Sequence, residues 1–338
     1  MRRAISDGHH VLTVDKLTYA GSLKALAAAE KSASHQLLKA DVGDGPAMSA
    51  AFKDFSPDFV LHLAAESHVD RSIDDPSPFI ETNIRGTFVM LETAVRYWNN
   101  LSDVGRTQFR FVHVSTDEVF GSIVDGGMFD HRSPYAPNSP YAASKAAADH
   151  LARAWGRSYG LPVVVTNCSN NYGPYQHAEK LIPTVIRHAL AGAPIPIYGN
   201  GLNVRDWLYV DDHAAGLLAA ALRGTSSNTY LFGGRSDVTN LAITNLLCEI
   251  LDTKRPLSSG KSYRHQIAFV KDRPGHDYRY AVDSSYAEHE LGWRPLEILK
   301  SGLVRTIDWY LTNPEWLVQP QDLGRLGLAR GIKNEKKQ

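Results

Sequence analysis

Phe109-Arg110-Phe111-Val112-His113-Val114-Ser115-Thr116-Asp117-Glu118-Val119-Phe120-Gly121 decides the fold. An apolar run ends in two hydroxyls, two carboxylates and a glycine. That pattern reads as a buried strand feeding a loop. The same pattern recurs on either side. Val11-Leu12-Thr13-Val14 ends in Asp15, Gln36-Leu37-Leu38-Lys39-Ala40 in Asp41, Phe59-Val60-Leu61-His62-Leu63 in Ala64-Ala65, and Pro162-Val163-Val164-Val165-Thr166 in Asn167. Helix-length patterns lie between, notably Asn83 to Trp98 and Pro140 to Ser158. Apolar strands alternating with helices predict an α/β fold with a doubly wound, mostly parallel sheet covered on both faces. Ligands of such sheets sit beyond the carboxyl ends of the strands. Asp15, Asp41, Ser67, Thr116 and Asn170 crowd those ends here.

The bulk numbers exclude several function classes. The 338 residues are 43% hydrophobic and 21% charged, ordinary for a large globular core. Lys and Arg number 36 and Asp and Glu 36, so no basic footprint for nucleic acid exists. No apolar run reaches the length of a membrane helix, and Met1-Arg2-Arg3-Ala4 has no apolar segment after it, so no signal peptide is read. A cytoplasmic enzyme is the default expectation. The two cysteines, Cys168 and Cys248, read as buried apolar residues, and the 14 histidines show no metal-ligand spacing.

The second half is less regular. Pro194-Ile195-Pro196-Ile197-Tyr198-Gly199, Phe232-Gly233-Gly234 and Asp272-Arg273-Pro274-Gly275-His276 suggest a smaller lobe interleaved with the last strands of the sheet. Residues 1–175 are expected to hold a dinucleotide, their sheet completed by 200–232. Residues 176–322 form mainly the substrate lobe, and 323–338 a mobile tail. A dinucleotide fold opens with a strand and a Gly-rich turn into a helix. Neither precedes Val11. Met1 to Gly8 resembles the last turn of such a helix, with Gly8 as its C-cap, and Asp15 then stands as the ribose-binding acid or as a simple loop cap. The absent strand is central, so two unpaired edges are expected. A start assigned too far downstream, a degenerate product without cofactor binding, and another segment in the gap all remain open; the intact motifs favour the first.

Tyr141-Ala142-Ala143-Ser144-Lys145 follows Ser139-Pro140, an N-cap with proline at the first helical position. Tyr141 and Lys145 then share one helical face. An ammonium beside a phenol lowers its pKa, which suits proton removal from an alcohol as hydride leaves carbon. On its own the pair is an ordinary surface feature of an Ala-rich helix. Asp117 and Glu118 would otherwise be solvated charges. At the end of a buried strand, burial and like charge push one carboxyl up and leave an acid beside a base. Hydride chemistry plus an acid–base pair points to an internal redox elimination.

Ser115-Thr116-Asp117-Glu118-Val119-Phe120-Gly121 with Tyr141-x-x-x-Lys145 resembles the nucleotide-sugar dehydratases of the extended short-chain dehydrogenase/reductase group. Asp15-Lys16-Leu17-Thr18-Tyr19-Ala20-Gly21, Leu63-Ala64-Ala65-Glu66-Ser67-His68-Val69-Asp70-Arg71-Ser72, Asn167-Cys168-Ser169-Asn170-Asn171-Tyr172-Gly173-Pro174, Arg205-Asp206-Trp207-Leu208-Tyr209-Val210 and Asp272-Arg273-Pro274-Gly275-His276-Asp277 narrow it to the dTDP-glucose 4,6-dehydratase family. The resemblance runs from about residue 8 to about 317. The chain departs from it in the absent glycine loop, in Phe120 for the usual Tyr, in a shorter Gly121–Met128 segment and in His131 where an acid is usual.

The resemblance implies a Rossmann-like fold, a tightly held NAD, dTDP-glucose as substrate and a homodimer formed through the helices at Asn83 to Trp98 and Pro140 to Ser158. It implies that Tyr141 takes the 4-hydroxyl proton while hydride leaves C4, with Thr116 bonding the same oxygen and Lys145 holding the ribose. Glu118 then removes the C5 proton and Asp117 protonates the departing C6 hydroxyl, before hydride returns to C6. Asp15, Lys16, Thr18, Asp41, Val42, Ala64, Ala65, Thr82 and Asn171 are implied for the cofactor. Ser67, Asn170, Lys180, Leu181, Pro196, Tyr198, Arg205, Asn240, Arg273 and His276 are implied for the nucleotide sugar. Two alternatives stand beside this: a related epimerase or dehydratase using another nucleotide, and a catalytically impaired paralogue. An epimerase has no need of the Asp117-Glu118 pair.

Overall fold

Val163, Val164 and Val165 show how the sheet is built. Successive side chains of a strand point to opposite faces. Phe111, Val163 and Val165 pack on one side with Met48, Phe52, Leu91, Ala94 and Ala152. Val112, Val114 and Val164 pack on the other with Leu217, Ala220 and Leu291. A strand apolar at every position is thus buried on both faces, as expected of a doubly wound sheet. The computed structural model describes residues 1–30, 32–123 and 126–317.

Among these residues the strands are β1 (Val11–Asp15), β2 (His35–Lys39), β3 (Phe59–His62), β4 (Arg110–Thr116), β5 (Val163–Cys168), β6 (Asn170–Tyr172), β7 (Ile195–Tyr198), β8 (Val204–Tyr209), β9 (Thr229–Phe232), β10 (Asp237–Thr239) and β11 (Ile267–Val270). The main sheet has the order β3-β4-β5-β9, all parallel. Phe111 lies opposite Val163 and Thr116 opposite Cys168, so β4 and β5 end together at the site face. A separate parallel pair holds β1 against β2. The second lobe contains β10-β8-β6 and the parallel pair β11-β7. Its core gathers Ile182, Val185, Trp207, Leu247, Leu303 and Ile307.

The structure adjusts two expectations. Of the stretch 200–232, only β9 joins the main sheet; β8 pairs with β6 and β10 instead. The helix expected over Asn83 to Trp98 opens as a π-helical stretch, Ile80–Gly86, and continues as the α-helix Thr87–Asn99. The wider turn buries Thr82 and Asn83. The expected tail at 323–338 lies outside the described residues. Other readings hold. Gly8 follows the short helix Arg2–Ser6 at φ +89°, its N–H bonding the Ile5 carbonyl. Among the described residues β1 pairs only with β2 and β3 only with β4, so each presents one open edge.

The helix Pro140–Tyr159 carries the local signals its sequence promised. Ser139 Oγ accepts from the Ala142 N–H at 3.1 Å, Pro140 occupies the first turn, and Gly160 ends it in a left-handed conformation. Tyr141, Lys145, Ala148, Asp149 and Ala152 recur at helical spacing on its buried face.

Candidate active site

At the end of β4 the chain tightens into a single 3-10 turn, Asp117–Phe120. Thr116 Oγ1 caps it by accepting from the Glu118 N–H at 3.3 Å. Gly121 closes it at φ +82°, where an added Cβ would stand 2.4 Å from the Ala136 carbonyl oxygen. Only glycine satisfies both conditions. The turn thereby aims Asp117, 2% exposed, inward. Asp117 Oδ1 accepts from the Thr116 hydroxyl at 3.3 Å, and Oδ2 has no hydrogen-bond partner among the described residues.

The two carboxyls differ in surroundings. Burial, then the neighbouring Glu118 charge, pushes Asp117 well above the ordinary carboxylate range. Burial also raises Glu118, but Arg273, Arg205 and Lys180 all oppose the rise. Asp117 is therefore the group held protonated, and Glu118 the one nearer ionisation. Such a pair can donate a proton at one point and accept one at another.

Tyr141 stands in the same cleft, packed edge-on against Phe79. Burial dominates its phenol and pushes it well above its ordinary value, Glu118 adding to the rise and the Thr116 hydroxyl opposing it. The lowering expected from Lys145 does not prevail over that burial. Lys145 is itself buried and donates from Nζ to the Val114 carbonyl at 2.7 Å. The Cys168 thiol is pushed up to about 12 by burial, so it stays neutral.

The second lobe supplies cations. Arg205, 5% exposed, lies over the Tyr280 ring at 4.3 Å and donates to the Asp277 carbonyl at 3.0 Å. Arg273 meets Asp70 at 3.4 Å, and the Tyr198 hydroxyl donates to the other Asp70 oxygen at 3.0 Å. Lys180 Nζ donates to the Ser67 carbonyl at 2.9 Å. His276 bonds Asp272 at 2.6 Å, and burial, followed by Arg273 and Arg205, brings its imidazole down to about 4. Gly275 lets this loop close: at φ +64° an added Cβ would lie 2.7 Å from the Asn138 carbonyl. Other predicted residues are less engaged. Leu181 packs against the second core, Asn170 and Pro196 are half-buried, and Asn240 shows a backbone bond from its N–H to the Asn203 carbonyl.

At the β1 end, Lys16 Nζ lies 3.3 Å from Asp41 and donates to Thr82 Oγ1 at 3.2 Å, uniting three predicted cofactor residues. Asp15 accepts from the Leu17 N–H at 2.6 Å, a loop-capping bond. Val42 is buried in the first core, Ala64 and Ala65 are half-buried beyond β3, and Thr18 is exposed. Asn171 donates to the Ser169 carbonyl at 3.2 Å. Among the described residues no cluster of His, Cys, Asp or Glu could hold a metal ion, and no helix is long and apolar enough to cross a membrane.

Sequence reasoning missed four polar residues. Asp70 bridges the lobes. Glu179, nearly inaccessible, lies near His68, Arg71 and His177 at 3.6–3.7 Å. Asn83 Nδ2 donates to Ser144 Oγ at 2.9 Å and the Glu66 carbonyl at 3.0 Å. Asp149, 0% exposed, accepts from the Tyr135 hydroxyl at 2.7 Å and lies 3.0 Å from His113 Nε2. Only Asp149 left a signal, its position four residues after Lys145.

Comparison with known proteins follows this geometry. Residues 1–306 match the family described as GDP-mannose 4,6 dehydratase. The chain is 52% identical over 314 residues to dTDP-glucose 4,6-dehydratase of Xanthomonas campestris pv. campestris, covering 93% of this chain and 90% of that protein. It is 50% identical to dTDP-glucose 4,6-dehydratase 1 of Escherichia coli K12, covering 91% and 87%. The crystal structure of DesIV, a dTDP-glucose 4,6-dehydratase from Streptomyces venezuelae with NAD bound, superposes with a TM-score of 0.84 at 41% identity over 93% of this chain and 94% of that one. The chain belongs to the dTDP-glucose 4,6-dehydratase family.

Proposed function

From that membership, we propose that the chain dehydrates dTDP-glucose to dTDP-4-keto-6-deoxyglucose as an NAD-dependent hydro-lyase. The observation that carries this reading is the unlike carboxyl pair, Asp117 and Glu118, beside Tyr141 at the end of a buried strand. Relatives of that name at about half identity support the substrate, and NAD bound in DesIV supports the cofactor.

The residues present fit NAD on its adenosine and nicotinamide sides. Asp15, Lys16, Thr18 and Asp41 offer ribose and adenine partners at the ends of β1 and β2, with Val42, Ala64, Ala65, Thr82 and Asn171 along the cleft; Lys145 and Tyr141 stand beyond β4. Among the described residues no strand pairs with both β1 and β3. Bound NAD would supply the hydride acceptor for C4 oxidation and the hydride donor for C6. Tyr141 removes the 4-hydroxyl proton, and Thr116 donates a hydrogen bond to the same oxygen. The C4 ketone acidifies the C5 proton, which Glu118 takes. Asp117 protonates the C6 hydroxyl and water leaves; as hydride reaches C6, Glu118 gives its proton back to C5. Arg205 and Arg273 neutralise the diphosphate, with Ser67, Asn170, Lys180, Leu181, Pro196, Tyr198, Asn240 and His276 around the nucleotide and sugar.

In this reading residues 1–175 with β9 hold the dinucleotide, and 176–317 mainly close over the sugar nucleotide. The enzyme works in the cytoplasm as a homodimer; exposed Phe88 (43%) and Tyr159 (54%) on the two neighbouring helices supply an apolar pairing face. Incubation with NAD and dTDP-glucose tests the function through the absorbance of the 4-keto product in alkali. Formation of a C4 epimer without loss of water would favour the epimerase reading, and no turnover by folded, NAD-loaded protein would favour an impaired paralogue.

A further inference from the structure

Asp149 lies one helical turn beyond Lys145 on the buried face of the helix Pro140–Tyr159. Both are almost without solvent contact, at 0% and 4%. A buried charge needs a partner. Lys145 Nζ has the Val114 carbonyl at 2.7 Å, a dipole rather than a charge. Burial lowers Lys145 below its ordinary value, and of the groups that oppose that shift Asp149 comes first and Cys168 second. Cys168 is a neutral thiol, pushed up to about 12. Asp149 is the ionised one.

The surroundings keep it so. Burial works against the carboxylate, but His113, Lys145 and Tyr135 together hold it below its ordinary value. Asn167 Nδ2 adds a contact at 3.3 Å from β5, and Arg153 donates to the Tyr135 hydroxyl at 2.7 Å. His113 on β4 and His62 on β3 also face this cluster; burial lowers both, with Asp149 opposing the shift at His113. His62 instead bonds Thr87 at 2.9 Å.

We propose that Asp149 is a positioning residue for the Tyr141–Lys145 pair: the buried counter-ion that keeps the Lys145 ammonium charged and in register. The inference rests on the proposed function only for what the pair does. Tyr141 is already raised by burial and Glu118. Loss of the ammonium charge raises it further, so the phenol becomes a base only at higher pH.

The test uses the full chain with D149N, D149E and Y135F. Side-chain ammonium 1H–15N spectra, with the Lys145 signal assigned by its loss in K145M, read the charge without turnover. The expected result is a Lys145 signal that vanishes at a pH at least about one unit lower in D149N than in wild type, and stays near wild type in D149E and Y135F. The pH profile of C4 oxidation should show its acid limb moved up by about one unit in D149N and restored in D149E. Identical titration of Lys145 in D149N and wild type overturns the proposal, as does an unmoved acid limb with a uniformly lower rate. If D149N does not fold, a wild-type Lys145 that lacks its ammonium signal at neutral pH overturns it, and a D149E signal lost at the same pH as in wild type sustains it. Absence of the 4-keto product in wild type defeats the proposed function while the spectra still decide the counter-ion.

Discussion

The two ends of the nucleotide-binding half are built to different standards. β4 lies between β3 and β5, and Phe111, Val112 and His113 are 0% exposed. The acid–base turn and the Tyr141 helix hang from that strand and share buried hydrogen bonds with it. β1 is half-buried throughout until its exposed Asp15 and, among the described residues, pairs with β2 alone. Just beyond its end, Lys16 with Asp41 is a partly exposed ion pair. The proposed chemistry thus stands on a deeply buried part of the fold, and the proposed grip on the adenosine on a half-buried one. Damage to one end need not reach the other.

The largest expected effect breaks the comparison at the chemical end. Asp117→Asn should slow water elimination by about 10²- to 10⁴-fold, the usual worth of a positioned acid. C4 oxidation, read as a nicotinamide absorbance transient with dTDP-glucose, should fall much less. Equal loss in both steps would refute the assigned acid. The same variant has a stability signature. Asp117 is raised in the folded state, so wild type is unpenalised below the ordinary carboxylate pKa. It loses stability as pH rises and the unfolded chain ionises first. Asn escapes that loss. D117N should therefore melt higher than wild type at pH 7 and alike at pH 4; a lower melting temperature at pH 7 would contradict the burial of the charge.

The next effect separates the two strands by packing. Phe111→Ala should cost about 3–5 kcal/mol in denaturant unfolding, as expected for an emptied core position. Val14→Ala should cost only about 1 kcal/mol, because its site is half-buried. Equal costs would erase the contrast between the two ends. The smallest effect sharpens it: Lys16→Ala should weaken NAD binding by no more than about 1 kcal/mol, the scale of an exposed ion pair. Calorimetric titration would show this, with sugar-nucleotide affinity unchanged. A loss of several orders of magnitude would mean that the β1 end holds the cofactor far more firmly than its exposure suggests.

These contrasts were partly legible in the chain itself. Val163-Val164-Val165 and Phe111-Val112 announce strands buried on both faces, and Ser139-Pro140 with Gly160 brackets a helix, because those signals are local. The carboxyl pair was legible as a site because it follows such a strand. The resemblance implied the division of roles between Asp117 and Glu118; the three cations that oppose the rise of Glu118, at residues 180, 205 and 273, could not be placed from the sequence. The stretch 200–232 was too broad a completion of the main sheet, because an apolar run does not say which neighbour it pairs with: β9 joins that sheet and β8 does not. Asp70 and Glu179 escaped notice because their partners lie far away in sequence: Asp70 meets residues 198 and 273, and Glu179 meets residues 68 and 71. The π-helical opening at Ile80 has no compositional mark.

Gly121 sets the terms on which this acid–base turn could be moved elsewhere. Its close approach to Ala136 is joined by the Ala136 N–H on the Val119 carbonyl at 3.0 Å, and by Phe120 stacked on Phe129 and set edge-on to Tyr135. A protein engineer who grafted residues 115–121 onto another parallel sheet would carry the carboxyls and lose their mould. The transplantable unit is two segments, 115–121 with 129–136, and a recipient scaffold must offer room for both.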